Sequence, residues 1–276
     1  MDRLSALLAH FSVRAGVFFS GAFCGVSTLD DAPRGHIHLV RGGAIKVALA
    51  DGVEIRVDEP SLIFFPRPCH HRLVAEVDDN AEIVCASLEF DGGTGNPLAH
   101  ALPEHLVITL SSAPSLARLL DWLFAEAFGD ECGRVAAMDR LFELLVIEVL
   151  RELLASKRLA TGMIAGLADT RLAPALMLMH DDPRRAWEVA ELAEHVHMSR
   201  ASFAARFREV IGQTPADYLV GWRVSLAQKA LRKGRPIALV ANDVGYESAS
   251  ALARAFRRKA GTSPREWVRS QGLEAE

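Results

Sequence analysis

Between Trp187 and Trp267 one pattern is written twice, and few folds accommodate it. The first copy runs Leu192-Ala193-Glu194-His195-Val196-His197-Met198-Ser199-Arg200, continues from Ala201 to Phe207, and closes on Gly212-Gln213-Thr214-Pro215. The second runs Val240-Ala241-Asn242-Asp243-Val244-Gly245-Tyr246-Glu247-Ser248, then Ala249 to Phe256, then Gly261-Thr262-Ser263-Pro264. Ala193 and Val196 recur 48 residues on as Ala241 and Val244; Phe207 and Gly212 recur 49 on as Phe256 and Gly261. The offset changes by one because the second copy has one extra residue in its turn.

Each copy carries the punctuation of a helix-turn-helix. A short helix presents Leu192, Ala193 and Val196, or Val240, Ala241 and Val244, on one face. A tight turn follows, with Gly245 in one copy and His197 in the other. Ser199 and Ser248 are placed to cap the next helix. That helix turns Phe203 and Phe207, or Leu252 and Phe256, inward at i,i+4. Gly212 and Gly261 stop it, and a proline three residues later starts another helix. The alanines allow close helix packing. A single helix over about 215–232, with Tyr218, Leu219, Trp222, Val224, Leu226, Ala227 and Leu231 on its apolar face, joins the copies. At 1.5 Å per residue it spans roughly 25 Å.

Charge divides the chain in the same place. The net charge is −4 over 276 residues. Residues 1–180 hold 15 Lys/Arg against 23 Asp/Glu, whereas residues 181–276 hold 16 against 12, and 13 of those 16 cations are arginine. A polyanion is therefore attracted to the second part only, and guanidinium suits bidentate contact with phosphate or guanine. No run of about twenty apolar residues is free of charge, so no membrane span is expected. The start, Met1-Asp2-Arg3-Leu4, lacks a secretory layout. A cytoplasmic protein with four reduced cysteines is expected.

The N-terminal half has a different rhythm. After a short amphipathic helix within 1–10, brief β runs are expected at Val17-Phe19, Phe23-Ser27, His36-Val40, Ala44-Ala50, Val53-Val57, Ser61-Phe65, His71-Val77 and Ile83-Phe90. They are separated by turns such as Asp30-Asp31-Ala32-Pro33, Gly42-Gly43, Asp51-Gly52 and Pro66-Arg67-Pro68. Asp51-Gly52 between alternating strands is a hairpin signal, and the spacing predicts a small antiparallel barrel. Residues 91–112 read as an irregular connection. Helices follow at about 113–128 and 134–157; the second is apolar over more of its surface than one core needs, so the pair either covers the barrel or forms a dimer surface. The expected architecture is α+β: a small antiparallel barrel over 1–112, the helical pair over 113–157, a linker over 158–171 and a helical domain over 172–271. Its helix-turn-helix motifs fall at about 189–211 and 237–260.

Over about 172–270 these residues resemble the AraC/XylS family of bacterial transcription regulators. The resemblance is carried by the doubled helix-turn-helix, Met198-Ser199-Arg200, Phe207 to Pro215, Val244-Gly245-Tyr246, and Ala255-Phe256-Arg257-Arg258 before Gly261 and Ser263-Pro264. The N-terminal half resembles the cupin-like sensor domain of one branch, through His38-Leu39-Val40-Arg41-Gly42 and Phe64-Phe65-Pro66 with His70-His71-Arg72-Leu73. Ile83-Val84-Cys85-Ala86-Ser87-Leu88 and an early Cys24 are similar to regulators that sense reactive chlorine species through cysteine. The resemblance implies double-stranded DNA as partner, contact with RNA polymerase, a homodimer, and no enzyme.

With Phe203 and Phe207 inside, 100° per residue puts Ala201, Ala204, Ala205 and Arg208 outside the first recognition helix; the same operation exposes Ser250, Ala253, Arg254 and Arg257 on the second. Methyl groups can pack on thymine methyls, whereas Arg254 can address guanine O6 and N7. Arg200, Arg206, Arg208, Arg257 and Arg258 are expected to clamp phosphates. In the sensor half, Cys24 and Cys85 are redox candidates, provided their Cα atoms come within about 7 Å. His36, His38, Cys69, His70 and His71 offer an alternative, a divalent-metal site in the barrel mouth. The second reading of the whole chain is then a cupin-type metalloprotein or metalloenzyme with a helical accessory domain. Where cupin metalloenzymes follow their His-X-His with a Glu, this chain has Arg41, Gly42 and Gly43, which weakens that reading.

Overall fold

The computed structural model describes residues 2–30, 34–92 and 95–272. The expected turn residues Asp31, Ala32 and Pro33, and residues 93 and 94 of the expected irregular connection, lie outside them. The chain forms two compact units. One takes Val13–Thr94 and Leu102–Glu152; the other takes Met1–Ser12, Gly95–Ala101 and Leu153–Glu276.

Among the described residues, the first unit has nine strands in two antiparallel sheets. They are β1 (Val13–Phe23), β2 (Gly25–Leu29), β3 (Gly35–Gly42), β4 (Ile45–Leu49), β5 (Glu54–Val57), β6 (Ser61–Phe65), β7 (His71–Ala75), β8 (Ala81–Phe90) and β9 (Leu106–Thr109). One sheet has the order β1-β8-β3-β6-β9 and the other β2-β7-β4-β5. Their inner faces share one apolar core, including Val40, Ile63 and Ile83 from the first sheet and Val47, Val57 and Leu73 from the second. Asp51-Gly52 makes the expected hairpin. Gly52 adopts φ +87°, Leu49 N–H donates to the Val53 carbonyl at 2.8 Å, and the Asp51 carboxylate accepts from Val53 N–H. The helices α3 (Ala117–Phe128) and α4 (Arg134–Ser156) follow the strands.

Two segments depart from expectation here. β1 is far longer than Val17-Phe19, because Arg14, Gly16, Ser20 and Gly21 break up its apolar residues and hide its strand character; the edge position of β1 and a register break between Val17 and Phe19 accommodate the glycines. The stretch 91–112 is not irregular throughout. It holds a short helix α2 (Pro97–Ala101) and β9, which extends the first sheet beside β6.

The second unit is helical. Besides α1 (Ser5–His10) and α2 it contains α5 (Met163–Ala168), α6 (Ala173–Asp181), α7 (Val189–His195), α8 (Arg200–Ile211), α9 (Pro215–Arg232), α10 (Ile237–Asp243), α11 (Ala249–Ala260) and α12 (Pro264–Ser270). Where the sequence reads as a linker over 158–171, α5 is a helix buried from end to end. Its six residues, Met-Ile-Ala-Gly-Leu-Ala, are too few for a helical period to emerge, and Thr161-Gly162 before them mimics a loop. The N-terminal segment also belongs to this unit: Leu7 and Phe11 are buried, and Phe11 meets Trp222 of α9 edge-on at 5.2 Å between centroids.

Candidate nucleic-acid interface and sensor core

The two halves of the repeat fold to the same local design. In each, the turn after the first helix places one residue in left-handed backbone: His197 at φ 54° and Gly245 at φ 87°. The next amide returns to the first helix, Met198 N–H to the Ala193 carbonyl at 2.9 Å and Tyr246 N–H to that of Ala241 at 2.8 Å. Gly245 is required sterically as well, since a Cβ there would stand 2.7 Å from the Arg184 backbone. Ser199 and Ser248 then cap α8 and α11, their hydroxyls accepting from Ser202 and Ala251 N–H. Gly212 and Gly261 end those helices in left-handed backbone, and Thr214 and Ser263 cap the helices begun by Pro215 and Pro264.

Burial fixes which face is presented. Phe203, Phe207, Leu252 and Phe256 are fully buried. α9 packs against both α8 and α11, with Phe207 against Tyr218 at 5.7 Å. Outward on α8 stand Arg200, Ala201, Ala205 and Arg208; outward on α11 stand Ser250, Arg254, Arg257 and Arg258. Ala204 and Ala253 are only half-exposed. Arg206 departs from expectation. It is half-buried and clamped by Asp169, which accepts from its Nε at 3.0 Å and Nη2 at 2.5 Å. Asp169 also accepts from the Arg171 and Leu172 amides. Despite partial burial, the guanidinium and these amides hold its carboxyl below the usual range. Arg206 is thus a brace between the end of α5 and α8, which helical phase alone could not reveal. Arg257 lies 4.0 Å from Glu266, an exposed pair of little energetic weight.

In the sensor unit, alternation along β3 turns His36 and His38 inward, where they meet His71 of β7 and Cys85 of β8. All four are buried. His38 Nδ1 lies 3.1 Å from Cys85 Sγ, His38 Nε2 lies 2.8 Å from His71 Nε2, and His71 Nδ1 lies 2.7 Å from the Cys69 carbonyl. Burial holds His38 well below its ordinary pKa and lowers His71 to about 4, so both are neutral near pH 7. Proton positions follow. A carbonyl only accepts, so His71 carries its proton on Nδ1 and accepts at Nε2. His38 must then donate from Nε2, leaving Nδ1 to accept the Cys85 S–H. The result is one directed chain from thiol to carbonyl. Burial also pushes the Cys85 thiol far up, away from thiolate.

This arrangement corrects two expectations. Two imidazole nitrogens on one tetrahedral metal stand about 3.3 Å apart, whereas His38 and His71 face each other at hydrogen-bonding distance. His70 instead faces Asp30 at 3.3 Å, and Cys69 Sγ contacts the His70 carbonyl. Among the described residues no group of three or more His, Cys, Asp or Glu is placed to hold a metal, so the set His36, His38, Cys69, His70 and His71 does not assemble as one site. The cysteine pair does not meet either. Cys24 is exposed between β1 and β2, not within a strand. Phe23 pairs with Ala81 and Phe19 with Cys85. The register therefore sets Cys24 roughly 13 Å or more along the sheet from Cys85, beyond the reach of a disulfide without strand movement.

A doubly capped helix-turn-helix unit beside a separate two-sheet unit defines a class, the two-domain regulators of transcription. The family models agree: "Cupin" matches residues 2–155 and "Helix-turn-helix domain" matches 192–270. The chain belongs to the AraC/XylS family, in the branch with a cupin N-terminal domain. It is 44% identical over 128 residues to a putative AraC-like transcription regulator of Streptomyces antibioticus, a match spanning 46% of this chain but only 42% of that relative. It is 30% identical over 239 residues to the RCS-specific HTH-type transcriptional activator RclR of Escherichia coli, covering 83% of this chain and 82% of the relative. Fatty-acid-bound ToxT of Vibrio cholerae superposes with a TM-score of 0.43 at 15% identity, over 96% of this chain and 98% of that one.

Proposed function

We propose that this chain is a sequence-specific transcription regulator of the cytoplasm, binding double-stranded DNA through α8 and α11. The observation that carries the reading is the repetition of cap, turn and stop around two helices whose outward faces hold arginine, while their phenylalanines are buried. Arg200, Arg208, Arg257 and Arg258 serve phosphate contact, Ala201 and Ala205 lie against thymine methyls, and Arg254 addresses a guanine. The helices are chemically unequal, so the second supplies most of the hydrogen-bonded base recognition. Arg254→Ala is expected to cost about 1–3 kcal/mol of discrimination at one base pair with little change elsewhere. Binding to operators mutated one position at a time checks this; an unaltered preference removes Arg254 from base readout.

The regulator acts as a homodimer and contacts RNA polymerase. Trp122 on α3 and Leu144 on α4 remain exposed at 59 and 39%, apolar side chains that a second copy would cover. No helix among the described residues is long and apolar enough to cross a membrane, in keeping with access to DNA.

The sensor unit responds to an oxidant or small ligand, and the RCS-specific relative favours the oxidant. Exposed Cys24 is the thiol positioned to react first; Cys85 is withheld by burial and by its bond to His38. After brief hypochlorite treatment, thiol trapping should find Cys24 modified and Cys85 intact. Cys24→Ser should abolish promoter induction. Normal induction in both Cys24→Ser and Cys85→Ser would eliminate the redox reading and leave ligand sensing.

A further inference from the structure

One arginine of the helical unit joins the two motifs through contacts that belong to neither motif's core. Arg223 lies midway along α9, and its side chain reaches the loop between α6 and α7, the entry to the first motif. Its Nε donates to the Pro183 carbonyl at 2.6 Å, and its Nη2 to the Arg185 carbonyl at 2.9 Å and the Arg184 carbonyl at 3.4 Å. Three successive carbonyls thus converge on one guanidinium. The loop is also closed on itself, the Trp187 indole N–H donating to the Asp182 carbonyl at 2.9 Å. The second motif meets Arg223 at the same place. The Tyr246 ring centroid lies 5.5 Å from the guanidinium carbon, and Gly245 comes so close to Arg184 that a Cβ would overlap its backbone.

Each motif already has its own hold on α9. On the first side, Phe207 of α8 meets Tyr218, and His180 of α6 stacks on Trp222 at 4.1 Å. On the second, Leu252, Phe256 and Val240 pack around Val224 and Ala227. Apolar and stacked contacts have little direction, so a helix can slide or rock on them. Hydrogen bonds from a planar fork do have direction, and a guanidinium fixes several donors at once where an ammonium does not. Arg223 stands five residues beyond Tyr218, about 7.5 Å further along α9. It therefore adds a separate, directional attachment for the first motif, and that attachment rests on the turn leading into α11.

Resting on the DNA-binding reading, we infer that Arg223 is a positioning residue: it locks the first motif against the turn of the second and so sets the spacing the chain accepts between the subsites read by α8 and by α11. It acts without touching DNA. Two linked modules gain affinity over either alone only where their geometry lets both engage. A duplex turns once in about 10 base pairs, so one inserted base pair swings the second subsite round by about 35°. A locked pair of motifs rejects that change, and a rocking pair accepts it.

The test uses an operator that the full chain selects from random duplexes, and the same operator with one base pair inserted between the two subsites. Wild type should bind the lengthened duplex at least ~10-fold more weakly. Arg223→Gln should bind it within about threefold of the original operator, and should match wild type on a duplex carrying only the second subsite. Arg223→Lys keeps the charge and loses the fork, so it should lose the spacing preference too. Neither variant should lower the slope of log affinity against log salt, whereas loss of a phosphate contact lowers it by about one. In wild type the Arg223 Nε proton should exchange with solvent more slowly than those of exposed arginines, a reading that needs no variant. The inference is overturned if wild type tolerates the inserted base pair, if either variant keeps the wild-type spacing preference, if single-subsite binding falls as far as operator binding, if the salt slope drops by about one, or if the Nε proton exchanges freely. A wild type that selects no operator overturns the regulator reading together with this one; a selected operator and an unchanged spacing preference overturn this one alone.

Discussion

Phe256→Ala should unfold the second helix-turn-helix and end operator binding. Phe256 is fully buried where α9, α10, α11 and α12 meet, with Leu252, Val240 and Val244 in the same cluster and Trp267 edge-on at 5.8 Å. Truncating a buried phenylalanine costs about 3–5 kcal/mol through lost transfer energy and the cavity left behind. A whole domain is stable by only about 5–15 kcal/mol, so a short motif such as this has little reserve. α10 is seven residues long, and helices that short persist through packing, since their own hydrogen bonds do not sustain them. The sensor core shares no residue with this cluster. The expected result is therefore selective: near-complete loss of specific DNA binding and a lowered helical melting transition, with the β-sheet signature retained. The matched change Phe207→Ala should do the same to the first motif. A Phe256→Ala protein that still footprints a full-length operator would contradict this account of what positions α11.

The contrast between legible and illegible residues follows the range of the interactions involved. The repeat could be read directly because its determinants are local. Ser199, Gly212, Ser248 and Gly261 each act within one turn of the residue they cap or stop, and the sequence states them in order. The same holds for Asp51-Gly52. Arg206 could not be read, because its partner Asp169 is 37 residues away and helical phase alone leaves it half outside. α5 escaped notice since its burial comes from tertiary packing and its six residues are too few to show a period. The sensor core falls between these cases. The alternation of His36 and His38 was visible, and so was the approach of His71 after its turn. What alternation cannot give is the spacing across two sheets, which decides between a metal site and a hydrogen-bonded chain. For Cys24 and Cys85 the deciding quantity was strand register, set by the whole β1–β8 pairing. Register is invisible when glycines blur the length of β1.

Acidification should weaken both units well before carboxylates begin to protonate. His71 is held at about 4 and His180 at about 3, each chiefly by burial, and His38 is lowered by the same cause. In the unfolded chain these side chains titrate near the ordinary histidine value of 6.5. Above that pH both states are neutral and their stabilising contribution is complete. Below it the unfolded chain takes up protons that the folded chain refuses, so stability falls with pH until the folded pKa is reached. Each such group contributes a slope of up to about 1.4 kcal/mol per pH unit. His38 and His71 share a hydrogen bond and will not add independently, so the sensor unit should show less than two groups' worth of slope. His180 supplies the corresponding effect in the helical unit. Asp169, whose pKa is lowered, acts in the same direction but only below the usual carboxylate range near 3.8. The histidine window opens near pH 6.5 and runs to about 4 for His71 and about 3 for His180, so its upper part, from 6.5 to 4, lies clear of Asp169. Urea denaturation at pH 7, 6 and 5 should show the midpoint of the sheet signal falling at each step. His180→Phe, which removes the titrating group and keeps a ring against Trp222, should flatten the dependence of the helical signal by about one proton. A midpoint constant from pH 7 to pH 5 in both signals would mean that these histidines are solvated, and the directed chain from Cys85 to the Cys69 carbonyl would lose its basis.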